Sequence, residues 1–189
     1  MFEIIPAILP TDADDLKKKI LALPGEINYF HLDVLDLPAG GDIWTDFRQD
    51  FEAHLMVADP EAIIEKWVER GAKRLIVHKI TDKILKYRGQ VEIGLAFELD
   101  VPISDVLVIA ELSDFVHVMS IAEIGAQGHP FDERIFDRIK AVQEKFPELP
   151  ISVDGGITAE NYRKLIDVGA DRLVVGSHFK DVWNSLEKS

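Results

Sequence analysis

Two histidines and two aspartates carry the chemistry that this sequence is best equipped to do. In Phe30-His31-Leu32-Asp33-Val34-Leu35-Asp36, His31 and Asp33 stand two apart, so on a strand they share one face. In Glu52-Ala53-His54-Leu55-Met56-Val57 the same spacing puts His54 beside Met56. A third run, Ser152-Val153-Asp154-Gly155-Gly156-Ile157, ends in a carboxylate and a glycine pair. Brought together at the carboxyl ends of parallel strands, two imidazoles and two carboxylates form a divalent-metal centre with positions left open for substrate. A single strand histidine reads as a hydrogen-bonded core residue; four such residues at strand ends in one chain favour the metal. The donor types suit zinc, iron, manganese or cobalt.

Two glycine-bearing turns are candidates for holding a phosphate. Asp154-Gly155-Gly156-Ile157-Thr158 precedes a helix expected from near Ala159, and Val175-Gly176-Ser177-His178 precedes the last helix. Backbone amides at such turns, with the positive end of a helix dipole, can hold a dianion. Tight turning alone also calls for glycine.

Positioning these residues requires strands and covering helices. Short apolar, β-branched runs recur at 4–9, 27–34, 51–57, 74–80, 91–97, 114–121, 151–154 and 172–176, and amphipathic stretches follow at 14–23, 60–70 and 133–145. Near-continuous hydrophobicity in the runs fits strands covered on both faces. Two joints, Glu69-Arg70-Gly71-Ala72-Lys73-Arg74-Leu75 and Asp167-Val168-Gly169-Ala170-Asp171-Arg172-Leu173, read alike, with glycine as a left-handed helix terminator. Such repetition favours an α/β chain folded as a single (β/α)8 TIM barrel over 1–189, rather than a doubly wound sheet. The chain is short for that fold, and the deficit lies after strand two, where Leu37-Pro38-Ala39-Gly40-Gly41-Asp42 is loop chemistry. The barrel is therefore expected to be compact, with its second helix missing or reduced to a turn.

The 189 residues hold 34 acidic and 21 basic side chains, a net charge of −13 that argues against nucleic acid or an anionic membrane as partner. The absence of cysteine removes disulfides, thiolate metal sites and cysteine nucleophiles. Neither a leader at residues 1–10 nor a long apolar segment is apparent, so a soluble, cytoplasmic protein is expected.

Taken in order, Pro6-Ala7-Ile8-Leu9, His31-Leu32-Asp33-Val34-Leu35-Asp36, His54-Leu55-Met56-Val57, Val118-Met119-Ser120, Val153-Asp154-Gly155-Gly156-Ile157 and Gly176-Ser177 resemble the ribulose-phosphate 3-epimerase family. The resemblance runs from about Ile4 to Phe179. It implies a (β/α)8 barrel holding one divalent metal through His31, Asp33, His54 and Asp154. It further implies that Asp33 and Asp154 are the acid–base pair, and that Met56 and Met119 line the site. Substrate and its phosphate would meet Gly125, Gly155, Gly156, Gly176 and Ser177. The implied reaction is carbon epimerisation of a ketose phosphate, D-ribulose 5-phosphate to D-xylulose 5-phosphate, through an enediolate. A homo-oligomer is compatible with the resemblance, as barrels of this family often form them.

The sequence departs from that pattern in the shell around the substrate. Ala7 stands where the family has serine, and Leu35 where it has methionine. Glu98-Leu99-Asp100-Val101 replaces Asn-Pro-Gly-Thr, and Glu123-Ile124-Gly125-Ala126-Gln127-Gly128 replaces a glycine-rich phosphate loop. Glu123 beside a phosphate would repel it. These changes keep open a different or unphosphorylated ketose, and a non-catalytic metal- or sugar-phosphate-binding barrel. His117, two before Met119, faces the interior and reads as a satisfied core histidine; His78, His129 and His178 are given no role.

Overall fold

The computed structural model describes residues 2–36, 42–121 and 130–186. Eight parallel strands close into a barrel in sequence order: β1 (Glu3–Ile8), β2 (Tyr29–Leu35), β3 (Asp50–Met56), β4 (Arg74–Val77), β5 (Glu92–Phe97), β6 (Phe115–Met119), β7 (Ile151–Asp154) and β8 (Arg172–Val175). Among the described residues seven α-helices lie outside it: α1 (Ala13–Leu21), α2 (Ile64–Glu69), α3 (Asp82–Leu85), α4 (Ile103–Ile109), α5 (Ile135–Lys145), α6 (Tyr162–Asp167) and α7 (Phe179–Leu186). No helix of the described residues is long and apolar enough to cross a membrane.

Local sequence accounts for these elements. Asp12 caps α1 by accepting the Asp15 amide, acidic residues fill its first turn and lysines its last, and Leu16 and Ile20 face the core. The glycine joints form as expected. Gly71 and Gly169 adopt φ of 86° and 102°, and at each the glycine amide and the one after it donate back to carbonyls of the closing turn, Gly71 to Val68 and Ala72 to Trp67, Gly169 to Ile166 and Ala170 to Leu165. The expected helix over 60–70 is broken at Ile63 into a 3₁₀ turn (Pro60–Ala62) and α2. α6 starts at Tyr162 rather than near Ala159. Asn161 takes the Thr158 amide on its Oδ1 at 2.8 Å and donates to the Gly156 carbonyl at 3.0 Å, holding the preceding residues as a turn.

The helix after β2 is missing among the described residues; 37–41 lie outside them, and 42–49 run without regular structure. Trp44 and Phe47 take its place against the sheet, 4.9 Å from each other and packed edge-on or tilted on Phe30, Phe51 and Trp67 with ring centroids 5.0–6.1 Å apart. Arg70 lies over both Trp44 and Trp67 and pairs with Asp42.

The two large apolar clusters lie between the strands and their covering helices. Inside the barrel the only apolar cluster among the described residues is small: Ile76, Ala96 and Phe115. Much of the interior is polar. At the amino-terminal end of the barrel Arg74 contacts Glu3, Glu52 and Tyr29 at 3.2–3.3 Å and Glu92 at 2.9 Å. Arg172 lies over the Phe115 ring. Above this floor stand Glu52, His31, His117 and Ser152, all essentially inaccessible to solvent.

Candidate active site and metal centre

Register brings the singled-out residues together. Asp33 is opposite His54 across β2–β3, His117 opposite Ser152 across β6–β7, and Met119 opposite Asp154. Side chains at every second position point inward, so β2 delivers His31 and Asp33, β3 Glu52, His54 and Met56, β6 His117 and Met119, and β7 Ser152 and Asp154.

The ligand candidates form one cluster. Asp33 Oδ1 lies 3.2 Å from His31 Nε2 and 3.6 Å from His54 Nδ1. Asp154 Oδ2 lies 3.9 Å from His31 Nε2, 4.0 Å from His54 Nδ1 and 3.3 Å from His117 Nε2. One donor atom each from His31, His54, His117 and Asp154 falls within a sphere of contacts no wider than 4.8 Å.

The outer contacts decide how the imidazoles are oriented. His31 Nδ1 donates to Glu52 Oε1 at 2.7 Å, and Glu52 is held in turn by Tyr29 at 3.2 Å and Arg74 at 3.3 Å. His54 Nε2 is 2.9 Å from His78 Nε2. His78 Nδ1 lies 3.0 Å from Glu98 Oε1, off-line for a hydrogen bond but close enough for the carboxylate to favour a proton on that nitrogen. Neutral His78 then accepts at Nε2, so His54 donates there and its Nδ1 carries a lone pair. That buried Nδ1 has no hydrogen-bond partner and faces the two carboxylates. A lone pair aimed at carboxylate oxygens is unfavourable unless a cation lies between them, so the residues fit a divalent metal.

Electrostatics separate the two carboxylates. Burial works against the Asp33 anion, but His31 and His54 beside it outweigh burial and hold its carboxyl well below the usual range. For Asp154 burial prevails, aided by Asp33 and Glu52 and opposed by the histidines, and pushes it up to about 6. Burial likewise lowers His54 to about 4 and His117 to about 3. His31 moves the opposite way: burial opposes its charge, yet Asp33 and Glu52 raise it well above the ordinary imidazole value.

Over this cluster opens a cavity of about 280 Å³, lined by Asp33 and Asp154, by Met56 and Met119, and by the turns at Gly155, Gly156, Gly176 and Ser177. Ala7 also lines it, where the resembled family has serine. Gly155 and Gly156 have φ of 107° and 62°, and a Cβ on either would lie 2.7 Å from Ile121 or from the Phe131 backbone, so these glycines serve the turn whatever else they do. Among the described lining residues there is no lysine or arginine; His178 is at the rim. Gly125, Glu123 and His129 lie outside the described residues.

Four contributors are not assigned to the site from the sequence. Glu52 shares the i, i+2 face of His54, a signal that was available. His78 and Glu98 lie just beyond the ends of β4 and β5 and meet His54 only through barrel register. His117 is buried with Ser152 Oγ at 3.1 Å, as a core histidine should be, but its other nitrogen faces Asp154.

Comparison with known proteins agrees with this arrangement. The model of the ribulose-phosphate 3 epimerase family matches residues 3–180. The ribulose-phosphate 3-epimerase of Aquifex aeolicus is 30% identical over 196 residues, covering 92% of this chain and 87% of that protein. That of Chlamydia muridarum is 31% identical over 185 residues (85% and 81%), and that of Eremothecium gossypii 28% over 205 (92% and 84%). Among solved structures, the tryptophan synthase A-subunit of Pyrococcus furiosus superposes with a TM-score of 0.69 at 14% identity, covering 99% of this chain and 100% of that one, a likeness of fold alone. With barrel, cluster and relatives in agreement, the chain belongs to the ribulose-phosphate 3-epimerase family, and with it to the isomerases.

Proposed function

We propose that this chain is a metal-dependent epimerase of a ketose phosphate, most simply interconverting D-ribulose 5-phosphate and D-xylulose 5-phosphate. The reading is carried by one observation: Asp33 and Asp154 reach the floor of one cavity from walls separated by β1 and β8, both within 3.9 Å of His31 Nε2. A divalent ion held by His31, His54, Asp33 and Asp154 supplies, when bound, Lewis-acid stabilisation of the charge that develops on the substrate oxygens. Asp33, ionised, takes the proton from the carbon beside the ketone on one face. Asp154, protonated, returns a proton to the same carbon on the other face. The centre is inverted, the proton count balances, and the two carboxyls have exchanged states for the reverse reaction. Met56 and Met119 give the cavity an apolar wall that excludes water without adding charge.

Phosphate would be met by amides at Gly155, Gly156, Gly176 and Ser177, with Gly125 as a further contact carried over from the family resemblance. A second reading, an epimerase of an unphosphorylated ketose, is favoured by the lack of lysine or arginine among the described lining residues and by the Thr158 amide already bonded to Asn161.

Solvent exchange at C3 tests both. Metal-loaded protein in deuterium oxide should exchange the C3 proton of D-ribulose 5-phosphate and form the epimer. Exchange with D-ribulose but not its phosphate would select the second reading, and exchange with neither would remove the epimerase assignment.

A further inference from the structure

His31 and His54 share a construction: one ring nitrogen faces the common cluster, and the other is taken by a group outside it, Glu52 or His78. His117 repeats that construction on a third strand. Its Nδ1 is 3.1 Å from Ser152 Oγ, and its Nε2 points to Asp154 Oδ2 at 3.3 Å. Its ring stacks on His31 (centroids 5.4 Å, 10° between planes) and meets His54 edge-on at 4.9 Å. All three rings are wholly inaccessible to solvent. An ordinary core histidine needs its two nitrogens satisfied; it does not need one of them inside a sphere shared with two other imidazole nitrogens and a carboxylate oxygen.

We infer that His117 is a third imidazole donor of the metal centre, with Ser152 as its positioning residue. The inference rests on the metal-dependent reading and narrows it. Neighbouring donors about 2.0–2.1 Å from a four- or five-coordinate ion lie about 2.9–3.6 Å from one another. The three edges from Asp154 Oδ2, at 3.3, 3.9 and 4.0 Å, lie in or near that range and need only a small contraction. Serine accepting the Nδ1 proton leaves the Nε2 lone pair toward the centre, the role that outer hydrogen bonds serve at histidine–metal sites. Three imidazole nitrogens beside the Asp33 and Asp154 carboxylates favour zinc or iron over manganese, which prefers oxygen donors.

Metal binding by wild type, His117→Gln and His117→Leu decides the matter. Glutamine keeps polar contacts toward Ser152 and Asp154 but is a poor donor to a soft ion; leucine fills the space. Zinc affinity is measured by competition with a chromophoric chelator, manganese affinity by titration, cobalt(II) through its visible absorption, and folding by thermal melting. Both variants should remain folded, bind zinc at least about 100-fold more weakly, and lose or shift the cobalt bands, with manganese affinity changed far less. Ser152→Ala should weaken zinc about 10-fold, and Ser152→Thr should restore it. If folded His117→Gln binds zinc as tightly as wild type with an unchanged cobalt spectrum, His117 is only a hydrogen-bond partner of Asp154 and the inference is overturned. If wild type itself binds no divalent metal, the metal-dependent reading fails instead.

Discussion

Asp33 and Asp154 stand on β2 and β7, with β1 and β8 between them, yet both come within 3.9 Å of the same nitrogen, His31 Nε2. The histidines hold the Asp33 carboxyl well below the usual carboxylate range, whereas burial pushes Asp154 up to about 6. At saturating metal, Asp33→Asn and Asp154→Asn should each reduce epimerisation by a factor of about 100 or more. Each should still exchange the C3 proton of one epimer, a different one in each variant, because one facial carboxylate survives. Proton NMR in deuterium oxide reads this directly. Near-normal epimerisation by either variant would remove that carboxylate from the reaction.

Metal affinity should rise with pH. In the metal-free protein His31 keeps its proton, because Asp33 and Glu52 outweigh the burial that opposes its charge. An ion taking Nε2 must displace that proton, so affinity should increase about tenfold per pH unit while His31 is protonated in the free protein. Below about pH 6 Asp154 is protonated as well and the dependence should steepen. Zinc competition titrations a pH unit apart measure the slope; a flat profile would mean that His31 is no ligand.

Removing the imidazoles should separate metal from fold. His31→Ala and His54→Ala should give folded proteins with little bound metal by elemental analysis and negligible epimerisation. Wild type should melt at a higher temperature with metal than with chelator, since a ligand at about 1,000 times its Kd stabilises by about 4 kcal/mol. That gap should vanish in His54→Ala.

Glu52 is the buried link between the arginine-rich floor and His31. Glu52→Ala should destabilise the fold by about 3–5 kcal/mol, because it leaves His31 facing an uncompensated space; Glu52→Gln should cost less. Burial opposes its charge, but His31, His117 and Arg74 lower its carboxyl to about 2 from an ordinary 4.5. A pKa lowered by folding adds stability that is complete above 4.5 and is lost as pH falls toward 2. Acid unfolding followed by circular dichroism should therefore be less steep over that interval in Glu52→Gln.

The barrel and the core of its site were legible for local reasons. His31-Leu32-Asp33 announces its shared face through the two-residue strand period, and Gly71 and Gly169 announce helix ends through the positive φ that glycine tolerates. Residues joined across strands were illegible to the same degree that local pattern is silent about register. His78 meets His54 because β3 and β4 pair with Leu55 beside Val77; neither segment states that alone. His117 looked like a core residue because burial is written in its apolar neighbours, Val116 and Val118, whereas the direction of a ring nitrogen is not. The start of α6 was misplaced because Asn161 ties its side chain back to Gly156 and Thr158, a turn that composition does not encode.

The aromatic cover over β2 and β3 has a consequence for how the protein ages under heat. A helix lifted from a sheet keeps its own hydrogen bonds and can settle back as a unit; Trp44 and Phe47, on a stretch with no regular hydrogen bonding, hold their arrangement only while they remain packed. The outer face they shield belongs to the strand whose inner face presents His31 and Asp33. Heat damage should therefore begin at this corner, with loss of the ion ahead of collapse of the barrel, and Trp44 emission should register the event before circular dichroism does.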